Sequence, residues 1–485
     1  MPSLAQRKEE LPPMPRRSCL LVVCLLVTGV AATAASAADH MWMGFQDDPA
    51  MRWRPGRAAV FDRVQQFNAS VVRTTVYWSR MAPRRPAHPA NSFDRAYRFS
   101  DLDEFVRNAA TRDIAVMLTI WGTPKWANGG KGANVVPRRL KDLTDFARAV
   151  ATRYDGRHRG LPAVQFYGVW NEPNLGRFLT PQYNKKGKPV SPIIYAGLYR
   201  AAYAGIRAGN PAALIGIGET APRGRRTPLK AAGTQETLAP QTFARLLAKA
   251  RPKLRFDAWS HHPYSTLGAG PNQRMRYPNA NLPMLPSFED HLNQWFKRKS
   301  TPIWVTEYGF QTKPGDQKGV SPARQAAYLR TAAAMVRKLP YVEMFIWFIF
   351  RDDPTSTWQS GLLYKNGLEK PAADVFPALA AQFDGRNPVV TVRSGTRRPV
   401  VKVPAFEFAA RGGPGSSVFS TVKAYLGGKL VRASQPPPAR VKPSGYVSIR
   451  TPIPRVVKGN EYVISFELSD SKGNRAYRYV SLAGA

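Results

Sequence analysis

Cysteine is nearly missing from this chain: of 485 residues only Cys19 and Cys24 are cysteines, and both stand in a leader-like stretch at the start. A mature chain without that stretch holds no thiol, which excludes cysteine nucleophiles, cysteine-bound metals and disulfide staples. Its stability then has to come from a large apolar core, which this length permits. Histidine is scarce at six residues, and no H-E-x-x-H occurs, so a histidine-held hydrolytic zinc is not expected. No phosphate-binding fingerprint follows the first strand-like run, where the sequence reads DDPAMRW, and IGIGET and NGGKGAN match neither glycine-rich pattern. No metal and no cofactor are expected. Acidic residues are few, 32 against 71 Lys and Arg, giving a net charge of +39. That field favours anionic surroundings such as cell-wall polymers or acidic glycans. The cations are scattered rather than gathered, so no specific nucleic-acid groove is indicated.

One long apolar run exists, CLLVVCLLVTGVAA, preceded by Arg16-Arg17 and followed by Ala35-Ser36-Ala37. A basic start, a short apolar stretch and small residues at its end are the layout of a cleavable export signal over residues 1–37. The expectation is a secreted or cell-envelope protein with no stable membrane span after cleavage.

Eight further apolar runs rich in β-branched and aromatic residues recur with helical patterns between them. They are WMGFQ (42–46), SVVRTTVYW (70–78), IAVMLTIWGTP (114–124), VQFYGVWNEP (164–173), ALIGIGET (213–220), FDAWSHHPY (256–264), TPIWVTEYGF (301–310) and VEMFIWFIFRDD (342–353). Continuous apolar strands alternating with helices predict a parallel sheet covered on both faces. Ser100 with Asp103, and Ser287 with Asp290, read as capping boxes; Ser321-Pro322 reads as a cap followed by a first-turn proline. PAADVFPALAAQF supplies an eighth helix. The fold class predicted is α/β, a (β/α)8 TIM barrel over residues 38–385. From 386 to 485 the pattern changes to short alternating segments separated by turns such as RGGPGSS and SQPPPARVKPSG. This predicts a small antiparallel β-sandwich, Ig-like, which binds carbohydrate, attaches to the cell wall or braces the barrel.

In such barrels chemistry sits at the C-terminal ends of the strands. Those ends offer Arg73, Trp121, Asn171, Glu172, His262, Tyr264, Glu307 and Trp347. Two carboxylates with aromatic neighbours suit glycoside hydrolysis, where one protonates the leaving oxygen and the other attacks the anomeric carbon or activates water. Tryptophans such as Trp121, Trp126, Trp170 and Trp358 can stack on the flat faces of sugars, and equally can be packing residues.

WNEP after the fourth run and WVTEYGF at the seventh resemble the two signature sites of glycoside hydrolase clan A, the retaining barrel glycosidases, over roughly residues 40–385. The resemblance implies Glu172 as acid/base and Asn171 as holder of the substrate 2-hydroxyl. It implies Glu307 as nucleophile, Arg73 and Tyr264 as its hydrogen-bond partners, Trp347 as the sugar platform, and His262 as a group that positions or tunes the acid/base. Several family 5 cellulases carry a histidine near the end of strand three, where this chain reads IWGTPKW. TPKW and WNEPNL, with a trailing sandwich, look more like family 39 xylosidases and related exopolysaccharide hydrolases. The function expected is a secreted retaining β-glycosidase acting on a poly- or oligosaccharide. The alternative is a non-catalytic carbohydrate- or cell-wall-binding protein on a degenerate barrel.

Overall fold

The computed structural model describes residues 41–229, 235–266, 268–356, 358–383, 389–405, 408, 415–442, 446–471 and 475–485. The expected signal segment 1–37, with both cysteines, lies outside the described residues, and so does the expected boundary at 385–386. Eight parallel strands close a barrel in sequence order: β1 (Trp42–Gln46), β2 (Val71–Tyr77), β3 (Ala115–Trp121), β4 (Phe166–Val169), β5 (Leu214–Thr220), β6 (Ala258–His261), β7 (Ile303–Tyr308) and β8 (Val342–Phe348). β8 pairs back onto β1 with Phe45 opposite Trp347, which completes the ring. The α/β barrel predicted from the alternating pattern is therefore the fold.

Side chains of a strand alternate between the two faces of the sheet. Met117, Phe166, Ala258, Trp304, Met344 and Ile346 point inward and form a compact apolar floor, with Phe166 set edge-on against both Trp42 and Trp304. Outward-facing residues such as Phe45, Val72, Trp259 and Phe345 join the helices in the main core. Above the floor the inward positions turn polar, because the C-terminal mouth of a barrel is where water and ligand reach the sheet.

Two of the three helix starts differ from expectation. The helix Ser100–Ala110 begins on Ser100 itself, with no side-chain cap. Asp103 is instead taken by Arg153 at 2.6 Å and by the Tyr154 hydroxyl at 2.8 Å. Ser287 lies inside the helix Leu285–Phe296 and donates back to Met284 O at 3.0 Å. Ser321 does cap its helix, accepting from Arg324 N at 3.2 Å. The helix Pro371–Phe383 follows β8 as predicted. Among the described residues no helix is long and apolar enough to cross a membrane.

Beyond the barrel come β9 (Val389–Val392), β10 (Val400–Pro404), β11 (Ser417–Leu426), β12 (Lys429–Ser434), β13 (Ala439–Arg440), β14 (Tyr446–Arg450), β15 (Glu461–Ser469) and β16 (Arg475–Gly484). β10 and β14 form one small antiparallel sheet, and β12-β11-β15-β16-β9 form the larger one. The larger sheet is mixed rather than purely antiparallel, because β9 enters alongside β16 in the parallel sense. Val401, Val447, Ile449, Ile464, Phe466 and Val480 belong to a core of its own. A separate buried cluster of Ala378, Ala381, Tyr425, Val463 and Tyr479 joins this sheet to the helix Pro371–Phe383. The Tyr479 hydroxyl donates to Gln66 O, and Arg337 pairs with Glu461, so the sheet is packed on the barrel through both apolar and polar contacts.

Candidate active site

Seven of the eight barrel strands deliver polar side chains to the mouth of the barrel. Arg73, on β2, is wholly buried, a position a guanidinium occupies only when its donors are matched. Its Nε donates to Thr119 on β3 at 3.0 Å, and its Nη1 to Glu307 Oε1 on β7 at 2.8 Å. Nη1 also donates to Gln46 of β1. Nη2 donates to Asn171 Oδ1 at 3.1 Å and to Glu219 Oε2 at 2.9 Å. Burial disfavours its charge, but Glu219 and Glu307 outweigh that and hold the guanidinium more firmly protonated than usual.

Asn171 and Glu172 lie just past β4, where the chain turns sharply. Trp170 (φ 69°) and Glu172 (φ 39°) both adopt left-handed backbone, which is costly for non-glycine residues and is concentrated at functional sites. The turn is held by Glu172 N donating to Glu219 O at 2.9 Å. Glu172 Oε1 lies 3.0 Å from His262 Nδ1, whose other ring nitrogen lies 3.3 Å from Glu219 Oε2. His262 is fully buried, which opposes its protonation. The carboxylates of Glu307, Glu172 and Glu219 override this and push its pKa up to about 9. On the far side the Tyr264 hydroxyl donates to Glu307 Oε2 at 3.1 Å, and burial together with the charges of Glu307 and Glu172 keeps that phenol protonated.

One donor atom each from Glu172, His262 and Glu307 lies within 4.8 Å of the others. The same geometry can be asked of a metal, but Arg73 and the hydroxyl of Tyr264 already face Glu307, and the histidine is held between two carboxylates. A fixed cation 2.8 Å from Glu307 works against a second one beside it. The arrangement suits nucleophilic attack by a carboxylate with proton transfer to oxygen: one carboxylate is held by an arginine and a phenol, and another lies 3.0 Å from an imidazole nitrogen.

The residues open onto a cleft of about 910 Å3. Trp121 lines it, donating its indole N–H to Phe178 O at 3.2 Å. Trp347, expected as the sugar platform, does not reach it: the residue is fully buried and its indole donates to Ser360 O at 2.8 Å. The cause is strand parity. Met344 and Ile346 face the barrel interior, so Trp347 faces the helices and Phe348 faces inward. Phe348 and Trp358 line the cleft in its place, 5.9 Å apart, with Trp358 edge-on to Tyr264 at 5.3 Å. Of the other tryptophans considered, Trp170 is buried and Trp126 packs edge-on against Trp78.

Glu219 is the residue the sequence reading passed over. It is the last residue but one of ALIGIGET, much as Glu172 follows its own strand, so the available signal was a third carboxylate near a strand end. Parity alone points it outward, since Gly216 three positions earlier looks inward at Ser260 and Trp304. A register shift against β6 between Gly218 and Thr220, with Glu219 at φ 47°, turns it into the barrel. A similar shift between Val305 and Tyr308 accompanies the inward turn of Glu307.

A family model described as cellulase (glycosyl hydrolase family 5) matches residues 33–347. Among solved structures, a family 39 glycoside hydrolase from the gut symbiont Bacteroides cellulosilyticus is similar with TM-score 0.53 and 15% identity, covering 87% of this chain and 81% of its own. A glucosidase from Croceicoccus marinus is similar with TM-score 0.56 and 12% identity, covering 90% and 96%. At these identities the two structures speak for the fold. No curated protein matches the chain. Of the two families whose wording the sequence resembles, the matching model is that of family 5, and both resemblances lie within clan A.

Proposed function

Since the chain belongs to glycosyl hydrolase family 5 and is a glycoside hydrolase, we propose that it is an exported retaining β-glycosidase in which Glu307 is the nucleophile and Glu172 the acid/base. The observation that carries this is the closeness of the two carboxylates, whose oxygens stand within 4.8 Å of each other across the cleft floor. Retaining pairs lie about 5–5.5 Å apart, whereas inverting pairs leave about 6.5–9.5 Å for a water.

In the first step Glu307 attacks the anomeric carbon while Glu172 gives its proton to the departing oxygen, so the C–O bond breaks and a glycosyl ester forms on Glu307. In the second, water attacks that carbon from the vacated side, gives its proton to Glu172, and the ester bond breaks. Arg73 and Tyr264 each hold one oxygen of Glu307 through the contacts already described and so orient the carboxylate for attack. Asn171, anchored by Arg73, is placed to meet the hydroxyl next to the reacting carbon. Trp121, Phe348 and Trp358 supply apolar faces for sugar rings.

The substrate class proposed is an acidic glycan. Arg177, Arg223 and Lys318 stand exposed at the cleft wall. The cleft's other acids already have partners: Asp353 pairs with Arg54, and Asp48 is met by Thr74 and by Thr75 N at 3.3 Å. Export rests on the leader over residues 1–37. Hydrolysis of a panel of aryl β-glycosides and of neutral and uronic-acid polymers, beside Glu307→Ala, tests the reading. Activity abolished by the substitution supports it; polymer binding without turnover in either protein returns the chain to a binding role.

A further inference from the structure

Glu219 has no place in the two-carboxylate scheme, yet it is buried completely at the centre of the site. A carboxylate there is expensive unless its charge is answered. Three donors converge on Oε2: Arg73 Nη2 at 2.9 Å, Thr306 Oγ1 at 3.2 Å, and His262 at 3.3 Å. Against the penalty of burial, Arg73, His262 and Thr306 hold Glu219 below the usual carboxylate range, so it is an anion. It does not line the cleft, and Oε1, with no hydrogen-bond partner among the described residues, faces the bare Cα of Gly168. Its business is therefore with its neighbours and not with substrate.

The consequence lies in the two nitrogens of His262. Each faces a carboxylate oxygen, and an ionised carboxylate only accepts. Glu219, as a carboxylate, calls for an N–H at Nε2. That leaves Nδ1 as the exchangeable nitrogen, 3.0 Å from Glu172. We propose that Glu219 is a positioning residue for proton transfer: it fixes the imidazole tautomer in which Nδ1 of His262 and Glu172 share one proton. In one state the proton is on Nδ1 and Glu172 is a carboxylate; in the other it is on Glu172, ready for the leaving oxygen, and Nδ1 accepts. The charges facing the pair are Arg73 from β2, Glu219 from β5, Glu307 from β7 and the Tyr264 phenol beyond β6, with Asp48 acting on Arg73 from beyond β1.

The inference rests on the glycosidase reading, and leaving-group dependence separates it from a plain structural role. In Glu219→Gln, turnover of glycosides with poor leaving groups falls about 10–100-fold, part of the roughly 100- to 10,000-fold that general acid catalysis supplies. A dinitrophenyl glycoside, which needs no proton, loses no more than about threefold. With an anion removed from beside His262, the shared proton is held less tightly and the alkaline limb of kcat/KM moves to lower pH. Equal loss on all leaving groups, or no loss on any, overturns the proposal. Nitrogen-15 spectra of the histidines in the unsubstituted full chain give a second test that needs neither turnover nor a folded variant. An Nε2–H neutral form for His262 at high pH supports it, and an Nδ1–H form overturns it. If the chain cleaves no glycoside at all, the functional reading fails, while the tautomer still decides the placement of Glu219.

Discussion

Arg73 Nη1 lies 2.8 Å from Glu307 Oε1, with the guanidinium wholly buried. The same side chain reaches Gln46, Thr119, Asn171 and Glu219, so it ties five strand ends into one rigid polar layer. Lysine cannot reproduce that fork. Arg73→Lys is expected to lower kcat more than 100-fold. Arg73→Met, which strands Glu219 and Glu307 without their cation, costs about 3–5 kcal/mol of stability. Steady-state kinetics and chemical unfolding check the pair. A stable, active Arg73→Met enzyme contradicts the layer's role.

The stereochemistry of the product follows from the spacing of Glu172 and Glu307. Proton NMR of early hydrolysis of an aryl β-glycoside is expected to show the β-anomer first, with the α-anomer appearing only by mutarotation. Initial release of the α-anomer points to a water-mediated single displacement, which two carboxylates with oxygens inside 4.8 Å leave little room for.

How far the sequence disclosed this site depended on where strands stay regular. Arg73, Trp121 and His262 sit on inward positions of unbroken parity, and their strand-end placement was readable. Trp347 was misplaced because the strand end was judged without counting parity back to Met344 and Ile346. Glu219 escaped because a bulge sets its direction, and a bulge leaves no periodic trace in ALIGIGET. The capping boxes at Ser100 and Ser287 failed for a different reason. Asp103 had a stronger tertiary partner in Arg153, and the helix Leu285–Phe296 starts earlier, on its own proline turn.

Two adjacent histidines should mark opposite ends of the pH–stability curve. Burial pushes His261 down from 6.5 to about 3. Its contribution is complete above 6.5 and is lost as pH falls toward 3, because the unfolded chain then binds a proton that the fold refuses. His262 is raised to about 9, so its contribution is complete below 6.5 and is lost as pH rises through 9. Asp47, which burial raises from 3.8 to about 7, has the sign of His262 but acts lower, its contribution being complete below 3.8 and lost as pH rises through 7, so it partly offsets the His261 arm. Thermal midpoints from pH 4 to 10 are expected to fall at both ends. Glutamine at position 261 flattens the acid arm alone; an unchanged acid arm sinks the assignment.

The sugar platform is expected at Phe348 and Trp358 rather than Trp347. Trp358→Ala should raise KM several-fold with kcat nearly kept, because the lost surface binds ground state and transition state alike. Trp347→Ala should instead cost about 3–5 kcal/mol of stability through the cavity it leaves. Kinetics and unfolding of the two variants separate a lining residue from a core residue.

Charge at the rim gives a test of substrate class. Glutamine at 177, 223 and 318 together should lower the kcat/KM ratio of uronic-acid over neutral polymer by about tenfold, and added salt should do the same to the unsubstituted chain. Glutamine at Lys429 and Arg432, exposed on the C-terminal sheet, removes comparable charge far from the cleft wall and should leave the ratio alone. A ratio that follows net charge in either variant assigns the effect to the general basic field.

Gly168 is small because Glu219 is there. A Cβ at position 168 would stand 2.3 Å from Glu219 Oε1 and 2.7 Å from Thr119 Oγ1, with Met117 closing the third side. None of these has open space to move into, since all three are wholly buried. Gly168→Ala should therefore cost about 1–3 kcal/mol as an overpacked core position. It should also push Glu219 off Arg73 and His262, and so reproduce the leaving-group dependence of Glu219→Gln. If the variant loses stability but treats poor and activated leaving groups alike, the carboxylate has been accommodated without disturbing the proton path. If both losses appear together, a methyl group on β4 has acted on catalysis without touching substrate, through a carboxylate that the cleft does not expose.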